Sequence, residues 1–418
     1  MERDVTGSDR TVDVVVVGAG PAGCAAAITA RRHGLDVVVV DRAAFPRDKI
    51  CGDGLTTSAL RELEALGLDP SAVASWIVVD DVLVRAPDGR RIVLPLPRGR
   101  GMFGAVARRA DLDAALVDLA RASGAEIRER TAVTGVAPID DAVAVTTDDG
   151  TRLRARHVIA ADGMWSPTRK FLGVAAPDYR GEWHAFRQYW RSVSDDAAHR
   201  LMVWFEPDLL PGYAWSFPLG DGSANVGFGI LRSETGYRVG DMGQLWREIV
   251  ARPHVRAFLG EHAEPEGPHR AWPIPARVGR LRPSHGRTLF VGDAAAAADP
   301  MTGEGIGQAL QTGRWAAEAI AAHPDAPLRV ARAYDTAVRH HLTVDHRFAE
   351  LLMRVLERRG PTSAVLRLVD ASDWTRRNFA RWMFEDYPRA YLFTPSRWHP
   401  GVFDAPGAYR DLHAHATD

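Results

Sequence analysis

The 418-residue sequence predicts an α/β fold: a parallel-sheet domain with a glycine-rich turn, interrupted by an inserted antiparallel β-sheet domain and followed by a C-terminal helical region. Three observations lead there. VDVVVVGAGPAGCAAAITARRHGLDVVVVDR reads as strand, tight turn, helix, strand. Residues 287–307, RTLFVGDAAAAADPMTGEGIG, run a further apolar strand into a Gly-rich helix start. Between them, segments such as Arg91-Ile-Val-Leu and Met202-Val-Trp-Phe carry strand patterning.

The bulk properties set bounds. A chain this long buries a large core and divides into two or three domains. A formal net charge of −1 removes any general argument for nucleic acid or an anionic surface. Lysine occurs only at Lys49 and Lys170; the other cations are arginines. Two cysteines, Cys24 and Cys51, are too few for a disulfide framework and suit a reducing cytoplasm. Val14–Ala30 is apolar enough to imitate a membrane span, but Gly18, Gly20, Pro21 and Gly23 interrupt it. No transmembrane segment is expected, and no residue is assigned to a metal.

Gly18, Gly20 and Gly23 form GxGxxG between the first strand and its helix. The first glycine permits the turn, the second admits a pyrophosphate, and the third lets helix and strand pack closely. Pro21 opens a helix whose free N–H groups face the phosphates. Asp41 ends the second strand, where a carboxylate accepts hydrogen bonds from an adenosine ribose, and Arg42 beside it belongs to the same site. This Rossmann-like unit alone leaves NAD and FAD both open.

Three later pieces choose between them. Arg109 starts a helix reaching about Ser123 and can address phosphates or a sugar chain. Residues 157–170, HVIAADGMWSPTRK, end a strand at Asp162-Gly163, with Ser166 and Arg169 completing DGxxSxxR. The third piece is 287–307, with Gly292-Asp293, Pro300, Gly303, Gly305 and Ile306. In this order the four pieces resemble the para-hydroxybenzoate-hydroxylase-like flavoprotein superfamily. The resemblance implies FAD, with Asp162-Gly163 near the nucleotide and pyrophosphate and Gly292-Asp293 at the ribityl chain. It puts the Pro300–Gly307 loop against the flavin ring. A helix beginning near Glu304 would point its positive end at a reduced, anionic flavin. Ile306, Leu310, Gly313, Ala317 and Ile320 give that helix an apolar core face.

Phe45-Pro-Arg-Asp-Lys-Ile-Cys51-Gly-Asp-Gly reads FPRxKxCGDG. Tyr213-Ala-Trp215-Ser-Phe217-Pro218 reads YxWxFP and is followed by Asn225-Val-Gly227. With the run Asn378–Arg389, these elements resemble the geranylgeranyl reductase family. Flavin-dependent halogenases share the FPR element but require a lysine before the DG motif. None lies between Ile50 and Arg169.

The expected activity is FAD-dependent oxidoreduction of a hydrophobic small molecule, foremost reduction of C=C bonds in an isoprenoid-type substrate. Monooxygenation of an aromatic or terpenoid compound is an alternative, and a non-catalytic flavin-binding protein a second. FAD carries the redox chemistry, and the protein supplies orientation and environment. An isolated alkene reduced without a polarising carbonyl develops cationic character, which aromatic faces stabilise. Tyr213 and Trp215 share one side of a strand and are candidates; Trp183, Trp190, Trp204 and Trp272 lie in the same region. Cys51 is the candidate thiol beside the ring, with Asp53 able to tune it, whereas Cys24 reads as structural. No second dinucleotide fold is present, so electrons come from NAD(P)H docking transiently or from an external reductase or ferredoxin.

The FAD-binding domain is expected to be discontinuous, at 8–75, 105–180 and 281–325. The β-rich substrate domain takes 76–104 and 181–280, and residues 326–418 are the helical C-terminal region. Within the latter, Trp374–Tyr391 reads as a packed terminal helix, a lid, or a peripheral contact with a membrane carrying the substrate.

Overall fold

The computed structural model describes residues 11–232 and 239–410. The outermost residues of the expected segments 8–75 and 326–418, and a short stretch of 181–280, therefore lie outside the described residues.

The first sheet is built on the strand Thr11–Val17, which lies parallel between Arg152–Ala160 and Val37–Val40. Thr288–Phe290 and Glu126–Arg128 extend it on either side, also in parallel. Valine-rich runs suit these strands because both sheet faces are covered, and Val37–Val40 is buried throughout. The strand Arg152–Ala160 also pairs antiparallel with Ala142–Thr147, which pairs with Val133–Ile139.

Two helices pack together over one face, Pro21–Arg32 and Ile306–Ala322. Their approach is backbone to backbone. A Cβ on Gly313 would meet the Ala22 carbonyl oxygen at 2.1 Å. A Cβ on Gly23 would meet the Gly18 carbonyl oxygen at 1.8 Å, which is the close packing expected of the third motif glycine. Gly313 is thus more than part of an apolar face: it sets how near the two helices come.

The second sheet has seven strands, in the order Glu264–Ile274, Trp183–Arg191, Ala224–Leu231, Tyr213–Pro218, Leu201–Trp204, Asp81–Arg85, Arg91–Pro95. It departs from the expected antiparallel pattern at one pair: Leu201–Trp204 runs parallel to Asp81–Arg85. A parallel pair needs a long connection between its strands, and here the connection includes much of the first domain. Gly54–Thr56, Gly104–Val106 and Ile77–Val78 form a small third sheet.

The C-terminal region is helical over Pro327–Val338, Val344–Leu356, Arg359–Val369 and Asp373–Met383. Leu366, Val369, Ala380 and Phe384 pack into a core shared with Val82, Val84, Leu201 and Val203 of the second sheet. The helices therefore lean on the inserted sheet.

Candidate active site

A cavity of about 890 Å³ runs between the first sheet, the second sheet and the C-terminal helices. Gly18, Gly20, Asp41, Arg42, Arg109, Asp162, Gly163, Gly292, Asp293, Gly303, Gly305 and Ile306 all line it. So do Cys51, Tyr213 and Trp215. Two of the expected residues stand behind the wall. Gly23 is consumed by helix–strand packing, and the Pro300 carbonyl accepts the Trp183 indole N–H at 2.8 Å.

At the nucleotide end, Gly18 adopts a positive φ of 103°, and a Cβ there would meet the Ala161 oxygen at 2.4 Å. Gly20 precedes the Pro21–Arg32 helix with no side-chain cap, which leaves the first helical N–H groups to a ligand. The Asp41 carboxylate is fixed by the N–H groups of Ala19 (2.7 Å) and Ala43 (2.8 Å). Asp162 accepts from the Thr168 N–H at 2.8 Å through one oxygen; its other oxygen is buried without a partner. Burial pushes that carboxyl above its ordinary range. A glycine turn, open helix N–H groups and an orphaned carboxylate oxygen are what a dinucleotide would satisfy, so the residues fit FAD.

Arg109 is held by a two-pronged bond to Asp113, 2.8 Å on each arm. Arg169 is turned away from the cavity lining. Its Nε donates to the Ala294 carbonyl at 2.7 Å, and its guanidinium stacks 3.8 Å over Phe290. It ties the DGxxSxxR turn to the Gly292–Ala295 turn, and burial lowers its pKa to about 10.

At the junction with the second sheet, Asn225 organises three groups. Its Nδ2 donates to the Cys51 carbonyl (2.9 Å) and to Asp53 Oδ2 (2.8 Å), and its Oδ1 accepts the Trp215 indole N–H at 3.2 Å. Asp53 is not an exposed turn residue. It is fully buried at φ 66°, accepts the Tyr189 hydroxyl at 2.9 Å, and burial raises its pKa to about 6 against the pull of Asn225 and Tyr189. Burial also pushes the Cys51 thiol up, with Arg109 opposing, so Cys51 stays protonated. Cys24 is buried and donates to the Ala19 carbonyl, as a structural cysteine should.

Tyr213, Trp215 and Phe217 form a ladder with ring centroids 5.9 and 6.0 Å apart. The Tyr213 hydroxyl donates to the Thr302 carbonyl, joining the ladder to the Gly-rich loop. Gly227 lies under Trp215: a Cβ there would come within 2.3 Å of the indole ring. That close approach explains the glycine two residues after Asn225. Of the other tryptophans, Trp183 and Trp272 line the cavity, while Trp190 and Trp204 pack inside the sheet core. Lys49 also lines the cavity, 4.3 Å over the Trp272 ring, and burial pushes its pKa down.

Beyond the ladder the lining turns apolar. Leu201, Val203 and Phe205 face Val365, Phe379 and Met383 of the C-terminal helices. The Asp373–Met383 segment is therefore a wall of the cavity rather than a remote packed helix.

The Gly-rich helix start differs from expectation. The helix begins at Ile306, and Glu304 Oε1 accepts the N–H groups of Ile306 (2.9 Å) and Gly307 (3.0 Å). The helix end that was expected to face a reduced flavin directly is thus capped by the protein's own carboxyl. Glu304 belongs to a buried group that sequence reading missed. Asp299 accepts from Thr302 and lies 3.5 Å from Arg389, and Glu385 accepts from Gln308 (3.0 Å) and Arg389 (3.3 Å). Burial raises the pKa of Glu304 to about 7 and of Glu385 to about 8. Burial also works against ionisation of Asp299, but Arg389 and His346 keep it below its ordinary range.

Comparison with known proteins agrees with this geometry. A family model described as "FAD binding domain" matches residues 11–341. A menaquinone reductase of Mycobacterium tuberculosis is 36% identical over 340 residues, covering 75% of this chain and 77% of its own. A digeranylgeranylglycerophospholipid reductase of Methanosarcina acetivorans is 30% identical, covering 73% and 74%. The fold matches a geranylgeranyl bacteriochlorophyll reductase-like protein of Thermoplasma acidophilum with a TM-score of 0.78, at 24% identity, over 93% of this chain and 99% of that one. The chain is an FAD-dependent oxidoreductase, and within the para-hydroxybenzoate-hydroxylase-like superfamily it belongs to the geranylgeranyl reductase family.

Proposed function

We propose that the protein reduces C=C bonds in the isoprenoid chain of a lipid. One observation carries this reading: past the aromatic ladder, the cavity continues as an apolar passage walled by sheet and C-terminal helices. Such a passage suits a long hydrocarbon chain, which gains about 0.8 kcal/mol per buried CH₂. The names of the two curated relatives support the same substrate class.

Bound FAD supplies the electron pair. Gly18, Gly20 and the Pro21 helix end hold its pyrophosphate; Asp41 and Arg42 hold the adenosine end. Arg109, Asp162, Gly163, Gly292 and Asp293 would hold the middle of the cofactor, and Gly303, Gly305 and Ile306 would border the ring. Tyr213 and Trp215 present their faces to the carbon that becomes electron-poor. Cys51, kept as a neutral thiol by burial, packs at the junction and gates access between the two halves of the cavity. The apolar walls exclude water. Electrons come from NAD(P)H docking transiently, or from a reductase or ferredoxin; a spectrum of the bound flavin bleached by one donor and not the others identifies it.

Among the described residues no helix is long and apolar enough to cross a membrane. Leu368, Trp374, Leu392 and Phe393 are nevertheless 70–71% exposed. These side chains support a peripheral contact of a cytoplasmic protein with the membrane that carries the lipid. The test of the function is product mass: holoenzyme reduced without dioxygen and given a polyprenyl lipid should add two hydrogens per bond. Addition of one oxygen, only when dioxygen is present, would overturn the reading.

A further inference from the structure

We propose that Glu304 is the proton donor of the reaction, loading a proton when the flavin is reduced and passing it to the substrate carbon. The inference rests on the C=C reduction proposed above. Reducing one C=C bond consumes two electrons and two protons. One hydrogen arrives with the electron pair from the flavin; the other arrives as a proton, in a passage whose walls are apolar. A wall group at the junction must hold that proton.

The junction offers few such groups. The Tyr213 hydroxyl is already donated to the Thr302 carbonyl. Lys49 and Cys51 carry protons as well, but burial makes the Cys51 thiol a weaker acid, and Lys49 is drawn over the Trp272 ring, away from the Gly303–Gly305 turn. Glu304 lines the cavity in the Gly303–Gly305 turn. Both of its bonds to the helix N–H groups use Oε1, which leaves Oε2 outside the cap.

A route for resupply leads away from it. One turn along the helix, Gln308 Nε2 donates to Glu385 at 3.0 Å, and Gln308 Oε1 is buried without a partner. A buried amide oxygen without a donor is costly, and a water or protonated carboxyl beside it would satisfy it. Glu385 also accepts from Thr56 Oγ1 at 3.3 Å, and its side chain retains 11% exposure. Gln308 and Glu385 thus place a second carboxyl, itself partly exposed, one helical turn beyond Glu304.

The surroundings tune Glu304 for this use. Burial is the largest influence and raises its pKa to about 7; the helix N–H groups oppose it, Asp299 adds to the rise and Arg109 opposes. Cys51, Tyr213 and Glu385 also face it. A reduced flavin bound in this cavity would bring a negative charge to the same junction, and such a charge strengthens proton binding at a neighbouring carboxyl. Glu304 then gains its proton together with the electrons and loses it when the substrate carbon takes it. The balance per bond is two electrons from the external donor and two protons from water, with Glu304 and the flavin both restored.

The test counts protons in FAD-loaded protein without substrate. The flavin is reduced electrochemically under anaerobic conditions at about pH 8, above the Glu304 midpoint, with an indicator dye in weak buffer. Uptake should approach two protons per two electrons in the wild type and one in Glu304→Gln. The glutamine retains an oxygen that can accept the helix N–H groups, and an unchanged flavin spectrum verifies the fold. Substrate turnover in Glu304→Gln should fall by about 100-fold or more. Equal uptake in the two proteins would overturn the proposal. So would an excess that survives Glu304→Gln and disappears in Glu385→Gln. Product mass, measured separately, decides whether the underlying C=C reduction is right.

Discussion

At the scale of single residues, Gly227 holds the aromatic ladder in place by what it lacks. Gly227→Val should displace both the Trp215 indole and the neighbouring strand, since a Cβ would meet the ring and the Phe186 carbonyl oxygen at 2.3 Å each. Turnover should drop at least tenfold with FAD affinity unchanged; equal turnover would separate Trp215 from the chemistry. Glu385 yields a pH prediction. Its folded pKa is raised from 4.5 to about 8, so the protonated carboxyl stabilises the fold below about 4.5 and that contribution is lost as pH rises through about 8. Glu385→Gln should therefore gain stability relative to wild type between about pH 5 and about pH 8. The gain should reach a few kcal/mol, because each tenfold change in proton affinity is worth about 1.4 kcal/mol. Urea midpoints at both ends of that window measure it; a constant difference would contradict the burial cause. Residues differ in how far the sequence alone exposes such roles. Those of Gly18, Gly20, Gly23 and Asp41 follow from backbone geometry within one strand–turn–helix unit, so their spacing is enough. Asn225 was visible only as part of a motif, because its partners Cys51 and Asp53 lie 174 and 172 residues away. Asp53 read as ambiguous for the same reason: only the second sheet buries it.

At the scale of elements, the spacing of glycines locates the helix start, and the structure adds a cap that the spacing does not show. Its first free N–H groups are occupied by Glu304, a side chain whose direction no periodicity reveals. The parallel pairing of Leu201–Trp204 with Asp81–Arg85 was equally hidden, because it joins two separate insertions. The Asp373–Met383 helix begins with a reciprocal cap, Ser372 with Thr375. Ser372→Ala should cost about 1 kcal/mol of local stability. Because the helix walls the apolar half of the cavity, the expected kinetic effect is a raised KM for the lipid, with FAD binding unaltered. Equal KM values would show that this wall does not touch substrate. In the first domain, Gly313→Val should separate the Pro21–Arg32 and Ile306–Ala322 helices. Loss of FAD retention during purification reports that separation; full retention would show that the helices can move apart without disturbing the site.

At the scale of the whole molecule, the fold makes one passage out of three distant parts of the chain. The N-terminal glycine turn and the 287–307 stretch define a cofactor half, and the two insertions supply an aromatic middle. The C-terminal helices close an apolar end. The sequence motifs located the first two parts; the run Asn378–Arg389 marked the third as a family element, but that it walls the cavity becomes visible only when the helices are seen leaning on the second sheet. The exposed apolar side chains of the C-terminal region give a further expectation: the holoenzyme should sediment with phospholipid vesicles, and Trp374→Ala together with Phe393→Ala should weaken that by about tenfold. Vesicle binding unaffected by both changes would place the contact elsewhere. The central claim is tested most directly by one anaerobic turnover of the reduced holoenzyme with a polyprenyl lipid, followed by mass measurement of the product. A gain of two hydrogens with reoxidation of the flavin is expected; an unchanged lipid, or oxygen added only in the presence of dioxygen, would contradict it.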